Sequence, residues 1–362
     1  MKITKEKSVI NFINRLGEVN NINEIISEML LNIYANNEIS SKEEIEEIAN
    51  KYHANRKDVY LDFIARYLGF DVEDEDEQKE FSLYIADSFY ELDEKEYKNN
   101  PYYKNIKISN KKNGDYQLLI DHYAPYEIFS FDDLSVNEEY FEVNKVGYFR
   151  NNFPFIALNY QGVTWMSITP NEINTMQKHI DQAKGNIVVF GLGLGYFPYM
   201  ASLKEEVTSI TIIEKEQKII DIFKGYIFNQ FPKKDKIKII KADAFEVLNQ
   251  KLDYDFAFID LWHSIEDGLP LFLKCKKLEK LSTDCKFAYW LDNGFYAALR
   301  RAMTILLEEQ LEGFKESDYQ EYQNDWDKLI NTLYKNTKNI TIKSIEDIKK
   351  LIKDESLIKY SF

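Results

Sequence analysis

The chain has 362 residues, 44% of them hydrophobic, and carries 46 basic against 61 acidic side chains for a net charge of −15. That length exceeds what one hydrophobic core usually serves, so more than one domain is expected. No apolar run approaches the ~18 residues of a membrane span, the opening MKITKEKSVINF has neither the apolar core nor the cleavage site of a signal peptide, and so negative a surface repels phosphate backbones. Cys275 and Cys285 stand without a CxxC pattern, which excludes a disulfide scaffold or a four-thiolate zinc site and fits a reducing cytoplasm.

Residues 1 to about 100 read as polar and helical. Ser41 followed by Glu44 forms a capping box ahead of Ile45, Ile48, Ala49 and Tyr52 at helical spacing. The same periodicity at Ile10, Ile13 and Leu16, and at Ile25, Leu30 and Ile33, suggests short helices packing one face. The acidic run Asp71 to Glu80 reads as a solvated connection, without the central glycine of an EF-hand loop, and His53 as a surface residue.

From Tyr102 to Ile168 the period changes. Ile106 to Ser109 and Tyr116 to Ile120 flank Asn113-Gly114, a hairpin signal, and further β-favouring runs lie at Glu127 to Phe131, Val146 to Arg150 and Phe155 to Tyr160. The last is expected to pair with Val163 to Ile168 across Gln161-Gly162. Asp121, His122 and Tyr123 here suit turn or interface duty. Thr169, Pro170 and Glu172 then open a helix, Thr169 as its cap and Glu172 completing a capping box. His179 falls near the carboxyl end of that helix.

The segment NIVVFGLGLGYFPYMAS, Asn186 to Ser202, is the centre of the chain. Ile187 to Phe190 read as a central parallel strand buried on both faces. Gly191, Gly193 and Gly195 then allow backbone at positive φ to close on a ligand as a helix begins. A second strand, Ser209 to Ile213, ends in Glu214, close to the separation of about 20 residues at which a carboxylate reaches ribose hydroxyls. Further strands at Lys236 to Ile240, Tyr254 to Ile259 and Lys286 to Leu291 lead to Asp243, Asp260 and Asp292. Four acids thus stand at strand carboxyl ends, where open α/β sheets bind ligands. The glycines read G-x-G-x-G, with Tyr196 where a dinucleotide turn has its last glycine, and no second Gly-rich turn follows.

These residues resemble the class I S-adenosylmethionine-dependent methyltransferases over about Ile168 to Leu311. The resemblance implies that Gly191, Gly193 and Gly195 line the methionine part of the cofactor, that Glu214 binds the ribose, that Asp243, Ala244 and Phe245 hold the adenine, and that Asp260 sits beside the reacting centre. It also places Ser167 and Thr169 near the methionine end. The β-rich stretch before the glycines is similar in layout to spermidine synthase-like members, which transfer an aminopropyl group.

Asp260-Leu261-Trp262-His263 is the chemical segment. Methyl transfer is an in-line displacement that needs positioning, a fitted electrostatic surface and a base only where the nucleophile carries a proton. Asp260 is read as catalytic, orienting a nucleophile or cationic groups; Trp262 offers a π-face to a cationic substrate or packs the cleft edge; His263 is read as the proton acceptor. The Asp/Asn-Pro-Pro-aromatic motif of amino-methylating enzymes is absent, and the Asp-x-x-Asp motif of aminopropyl transferases departs at His263. His263, Glu266 and Asp267 make no convincing metal set. Beyond Leu291, a helical face at Phe295, Leu299, Met303 and Leu306 leads to an acidic helix, Ser317 to Leu333. Asn339 to Ile342 with the helix Ile345 to Ile352 is then expected to supply the last part of the sheet.

The expected architecture is α/β: helical residues 1–100, a small antiparallel β region over 101–168, and a Rossmann-like methyltransferase domain with a parallel central sheet and a helical C-terminal extension over 169–362. The expected activity is S-adenosylmethionine-dependent methylation of a small-molecule or protein substrate, without nucleic acid, membrane or metal and with a homo-oligomer left open. Two alternatives stand beside it: a spermidine synthase-like aminopropyltransferase, and a non-catalytic S-adenosylmethionine-binding protein whose helical N-terminal region binds a partner.

Overall fold

The computed structural model describes residues 1–36, 39–319 and 324–362. It opens with one long helix, α1 (Lys7–Ala35), where the local spacing suggests separate short ones. Val9, Ile13, Leu16, Val19, Ile26, Leu30 and Ile33 form one uninterrupted buried stripe, so the two apolar stretches are a single face. Ile25, read as part of that stripe, instead points outward and is 44% exposed. Helix α2 (Lys42–Tyr52) starts from the expected capping box: Ser41 N donates to Glu44 Oε2 at 2.9 Å and Glu44 N to Ser41 Oγ at 3.2 Å.

After α3 (Arg56–Tyr67), the acidic run is not a connection. Asp74 Oδ1 accepts from Asp76 N and Glu77 N, capping α4 (Glu75–Tyr84), and Glu75, Asp76 and Glu77 lie in its first turn, where negative charge favours a helix. A core of its own joins the second half of α1 to these helices, with Tyr60 edge-on to Tyr126 and Tyr148.

Four antiparallel strands follow, β1 (Lys111–Asn113), β2 (Tyr116–Tyr123), β3 (Phe153–Tyr160) and β4 (Val163–Ile168), ordered β4-β3-β2-β1. The expected strand at Ile106 to Ser109 has no regular structure; the hairpin closes one register later, with Asn113 opposite Tyr116 and Gly114 and Asp115 as its turn. Gln161 and Gly162 both take positive φ between β3 and β4, the twist that suits a two-residue hairpin. The runs near Phe129 and Val146 form strands of a separate three-stranded sheet.

Helix α5 (Pro170–Gln182) leads into the central unit: β5 (Gly185–Phe190), α6 (Tyr196–Ser202), β6 (Val207–Glu214), α7 (Gln217–Tyr226), β7 (Ile237–Lys241), α8 (Ala244–Leu248), β8 (Phe256–Ile259), α9 (Ile265–Leu278) and β9 (Lys286–Tyr289). Its five strands are all parallel in the order β7-β6-β5-β8-β9. Ile187, Val188, Val189 and Phe190 are all buried, as the middle strand of a sheet covered on both faces requires. The chain builds outward through β6 and β7, then crosses back to β8 beside β5, which opens a crevice at the carboxyl ends of β5 and β8.

Helix α10 (Asp292–Glu312) packs against α1, and α11 (Asp325–Thr337) against α10. In the helix expected from Ser317 to Leu333, Ser317 to Tyr319 form a 3-10 turn, residues 320–323 lie outside the described residues, and α11 begins at Asp325. The C-terminal strand does not extend the central sheet: Thr341–Ile342 pairs in parallel with Lys2–Ile3. Two residues that meet the N-terminus of the chain cannot also reach β9. Among the described residues no helix is long and apolar enough to cross a membrane.

Candidate functional site

The glycine turn is built from three glycines with three duties. Gly191 N donates to Ile213 O at 3.0 Å and Asp260 N to Phe190 O at 2.9 Å, so the backbones of β5, β6 and β8 stay knitted up to the turn. There Gly191, at φ +96°, lies so close that a Cβ would stand 2.0 Å from Asp260 O. Gly195, at φ +80°, starts α6 against Phe223, 2.4 Å from where its Cβ would be. Gly193, at φ +52°, has nothing within 4 Å of an added Cβ. All three border one cleft, but only Gly193 leaves bare backbone facing open space.

Glu214 braces this turn from the tip of β6. It is 8% exposed; Leu192 N donates to its Oε2 at 3.1 Å and Glu216 N to its Oε1 at 2.7 Å. Asp243 caps α8, its Oδ1 accepting from Phe245 N at 2.7 Å and Glu246 N at 3.4 Å. Lys274 Nζ stands 3.6 Å from the centroid of the Phe245 ring, a cation-π contact that holds the ring at the cleft.

The cleft has a volume of about 530 Å³ and brings together Gly191, Gly193, Gly195, Glu214, Asp243, Ala244, Phe245, Asp260, Trp262 and His263. Ser167 also borders it. Asp292, the fourth strand-tip acid, does not: it pairs with Lys178 at 2.6 Å. Trp262, although it borders the cleft, is 4% exposed and committed to packing. Its Nε1 donates to Trp290 O at 3.1 Å and its ring stands edge-on to Phe295. Of the two expectations for Trp262, a π-face for substrate and packing at the cleft edge, these contacts fit the packing. His263 is exposed at the mouth, with Nδ1 3.7 Å from Asp267 and its ring nearly parallel to Trp165, centroids 6.3 Å apart. His179 is a buried core residue at the end of α5, held neutral by burial, which lowers its pKa to about 4.

The capping box expected at Thr169 does not form. Thr169 occupies the cap position without a capping hydrogen bond, its side chain engaging Tyr123. Glu172 is therefore released from the helix end and borders the cleft. Neither Glu172 nor Asp260 receives a side-chain hydrogen bond from any described residue. Burial and the neighbouring Asp260 push the Glu172 carboxyl well above the usual range. Burial and Glu214 push Asp260 up to about 7.

Two further contributors come from far away in the chain. The short helix Pro101–Asn105 pins the glycine turn: Tyr102 Oη donates to Leu194 O at 2.5 Å and Asn100 Nδ2 donates to Tyr196 Oη at 2.9 Å. Pro198, four residues after Leu194, has no N–H to offer that carbonyl. Tyr102→Phe should therefore cost about 1–2 kcal/mol by leaving a buried acceptor unpaired, read as a shift in denaturant midpoint. An unchanged midpoint would show that another donor serves Leu194. Trp165 is the second contributor. The register of β3 and β4 shifts between Thr164 and Met166, a bulge that places the indole at the cleft.

No family model matches the chain, and no curated protein matches it. Among solved structures it is similar to a spermidine synthase from Thermotoga maritima, at 14% identity and TM-score 0.30 over 41% of this chain and 59% of that one. It is also similar to a spermidine synthase in complex with the transition state analogue AdoDATO (17% identity, TM-score 0.30, 41% of this chain and 58% of that one). A third is the methyltransferase domain of bacterial CtHen1-C (16% identity, TM-score 0.22, 28% of this chain and 58% of that one). The match thus spans less than two thirds of each of these structures. Among the described residues no group of His, Cys, Asp and Glu is placed to hold a metal ion.

Proposed function

We propose that the cleft binds an adenosyl sulfonium and that the chain is an S-adenosylmethionine-dependent transferase, methylating a small-molecule or protein acceptor. The observation that carries this reading is the bare Gly193 backbone set beside the Glu214 carboxylate, at the tips of adjacent parallel strands. The cleft volume of about 530 Å³ suits a ligand of nucleoside size. Inner carboxylates without donors suit a cation.

When bound, the cofactor supplies an electrophilic carbon on positively charged sulfur, which an acceptor's lone pair takes as the carbon–sulfur electrons return to sulfur. The chain's own residues do the rest. Gly193 lets the ligand approach the backbone closely, Glu214 offers its remaining lone pairs to ribose hydroxyls, and Phe245 flanks the adenine. Asp260 holds positive charge at the reacting end, and His263, exposed at the mouth, passes the acceptor's proton to solvent.

A second reading, aminopropyl transfer from the decarboxylated cofactor, is favoured by one observation. Glu172, Glu214 and Asp260 border the inner cleft, whereas Lys215 is the only lysine or arginine that borders it among the described residues. A ligand with two positive groups and no carboxylate meets such a lining without an unpaired anion.

Mass spectrometry of small molecules released from the purified protein, followed by product analysis, tests both. S-adenosylhomocysteine supports methyl transfer and methylthioadenosine supports aminopropyl transfer. Binding without turnover across a broad acceptor panel would leave a ligand-binding protein. Glu214→Ala should weaken adenosylmethionine binding by about tenfold or more, since it removes both the ribose acceptor and the brace on Leu192. Equal affinity in a calorimetric titration would contradict the cofactor placement.

A further inference from the structure

We propose that Glu172 and Asp260 share one proton in the ligand-free cleft and surrender it to the ammonium group of an entering ligand, so that Glu172 selects amine-bearing ligands and couples their binding to pH. The proposal rests on the adenosyl reading above. Glu172 comes from the first turn of α5 and Asp260 from the tip of β8, and both border the same cleft. No described residue donates a hydrogen bond to either carboxyl.

The surrounding charges do not supply what is missing. Glu214, itself occupied by two backbone N–H groups, raises Asp260 further. Tyr196 on α6 and Tyr123 on β2 both feel the charge of Glu172. Lys215, the one lysine or arginine that borders the cleft among the described residues, is exposed, and His263 faces Asp267. Glu172 and Asp260 line one cleft, Asp260 raises Glu172, and no described donor or cation meets either carboxyl, so without a counter-charge one proton stays with the pair.

A primary ammonium brings one positive charge and three N–H donors. Placed between the two carboxyls it satisfies both as anions. The balance is then one ligand ammonium bound and one proton lost from the Glu172–Asp260 pair to solvent, with no covalent bond to the ligand made or broken. A ligand carrying the same adenosyl group without the amine has nothing to exchange for that proton.

Calorimetric titration at pH 6.5 in two buffers of different ionisation enthalpy counts the protons. The ligands are S-adenosylmethionine, S-adenosylhomocysteine, which keeps the amine on a neutral sulfur, and methylthioadenosine, which lacks the amine. About one proton should be released with each of the first two and none with the third. In Glu172→Gln the release should vanish, and affinity for the amine-bearing ligands should fall about tenfold with methylthioadenosine unchanged. Release by adenosylmethionine but not by adenosylhomocysteine would assign the effect to the sulfonium and overturn the proposal. Equal release with methylthioadenosine, or full release in Glu172→Gln, would do the same while leaving the adenosyl reading intact. Failure of all three ligands to bind the wild type would remove that reading and this one with it.

Discussion

Alanine at Gly191 is expected to cost the fold about 2–5 kcal/mol, whereas alanine at Gly193 should change stability by no more than about 1 kcal/mol and act on ligand binding instead. The two glycines sit two residues apart in one turn, yet their surroundings differ. At Gly191 two penalties add: φ of +96° is strained for any L side chain, and the new methyl would meet Asp260 O at 2.0 Å. That oxygen belongs to the backbone just beyond β8, whose Asp260 N is bonded to Phe190 O, so it cannot swing aside as a side chain would. Relief would require parting β5 from β8 at the tips that form the cleft. At Gly193, φ of +52° is a left-handed conformation that alanine reaches at modest cost, and nothing stands within 4 Å. The methyl would occupy the space over which the proposed ligand would pass. Denaturant midpoints together with adenosylmethionine titrations separate the two. A Gly191→Ala protein of wild-type stability would mean that the strand tips are looser than their hydrogen bonds imply.

That contrast marks what could be read from sequence. The apolar run Ile187 to Phe190, the alternating glycines and the strand-end acids are local patterns, and the parallel sheet with its cleft follows from them. The division of labour among the glycines is not local, because it depends on Asp260 and Phe223, which other strands and helices bring in. Glu172 was hidden by a motif that normally means something else. Thr169-x-x-Glu172 has the form of a capping box, but Tyr123 engages the threonine and the cleft receives the acid. Tyr102 and Asn100 reach Leu194 and Tyr196 from more than 90 positions away, and nothing in their own neighbourhood signals it. In the N-terminal part, charge obscured structure: the acidic run around Asp74 looks like a linker until one counts its capping aspartate and first-turn acids, which stabilise a helix.

Asp260→Asn should make the ligand-free protein more stable at pH 8, by on the order of 2–4 kcal/mol, and leave it nearly unchanged at pH 4. The sign follows from where the proton sits. In the unfolded chain Asp260 titrates near its ordinary 3.8; in the fold, burial and Glu214 hold it at about 7. Between those values the folded state keeps a proton that the unfolded state has released, so Asp260's contribution to wild-type stability falls as pH rises from about 4 to about 7 and levels off above. Asparagine resembles the protonated acid in shape and does not titrate, so the variant escapes that loss. Other buried groups also move with pH. His179, pushed down to about 4, makes both proteins gain stability as pH rises toward 6.5, and Asp133, pushed up to about 7 mainly by burial, makes both lose it. Both groups are present in wild type and variant, so they cancel in the difference between the two curves; Glu172 does not, because the variant loses the Asp260 charge that helps raise it, which adds to the variant's advantage at high pH. Saturating adenosylmethionine should reverse the order, because the carboxylate that is costly in the empty cleft is the one that meets the ligand's positive charge. Thermal melts of both proteins from pH 4 to 8, with and without ligand, measure all of this. Parallel curves without ligand would mean that Asp260 ionises freely in the fold, and the cleft would then have no stored charge for a cation to relieve.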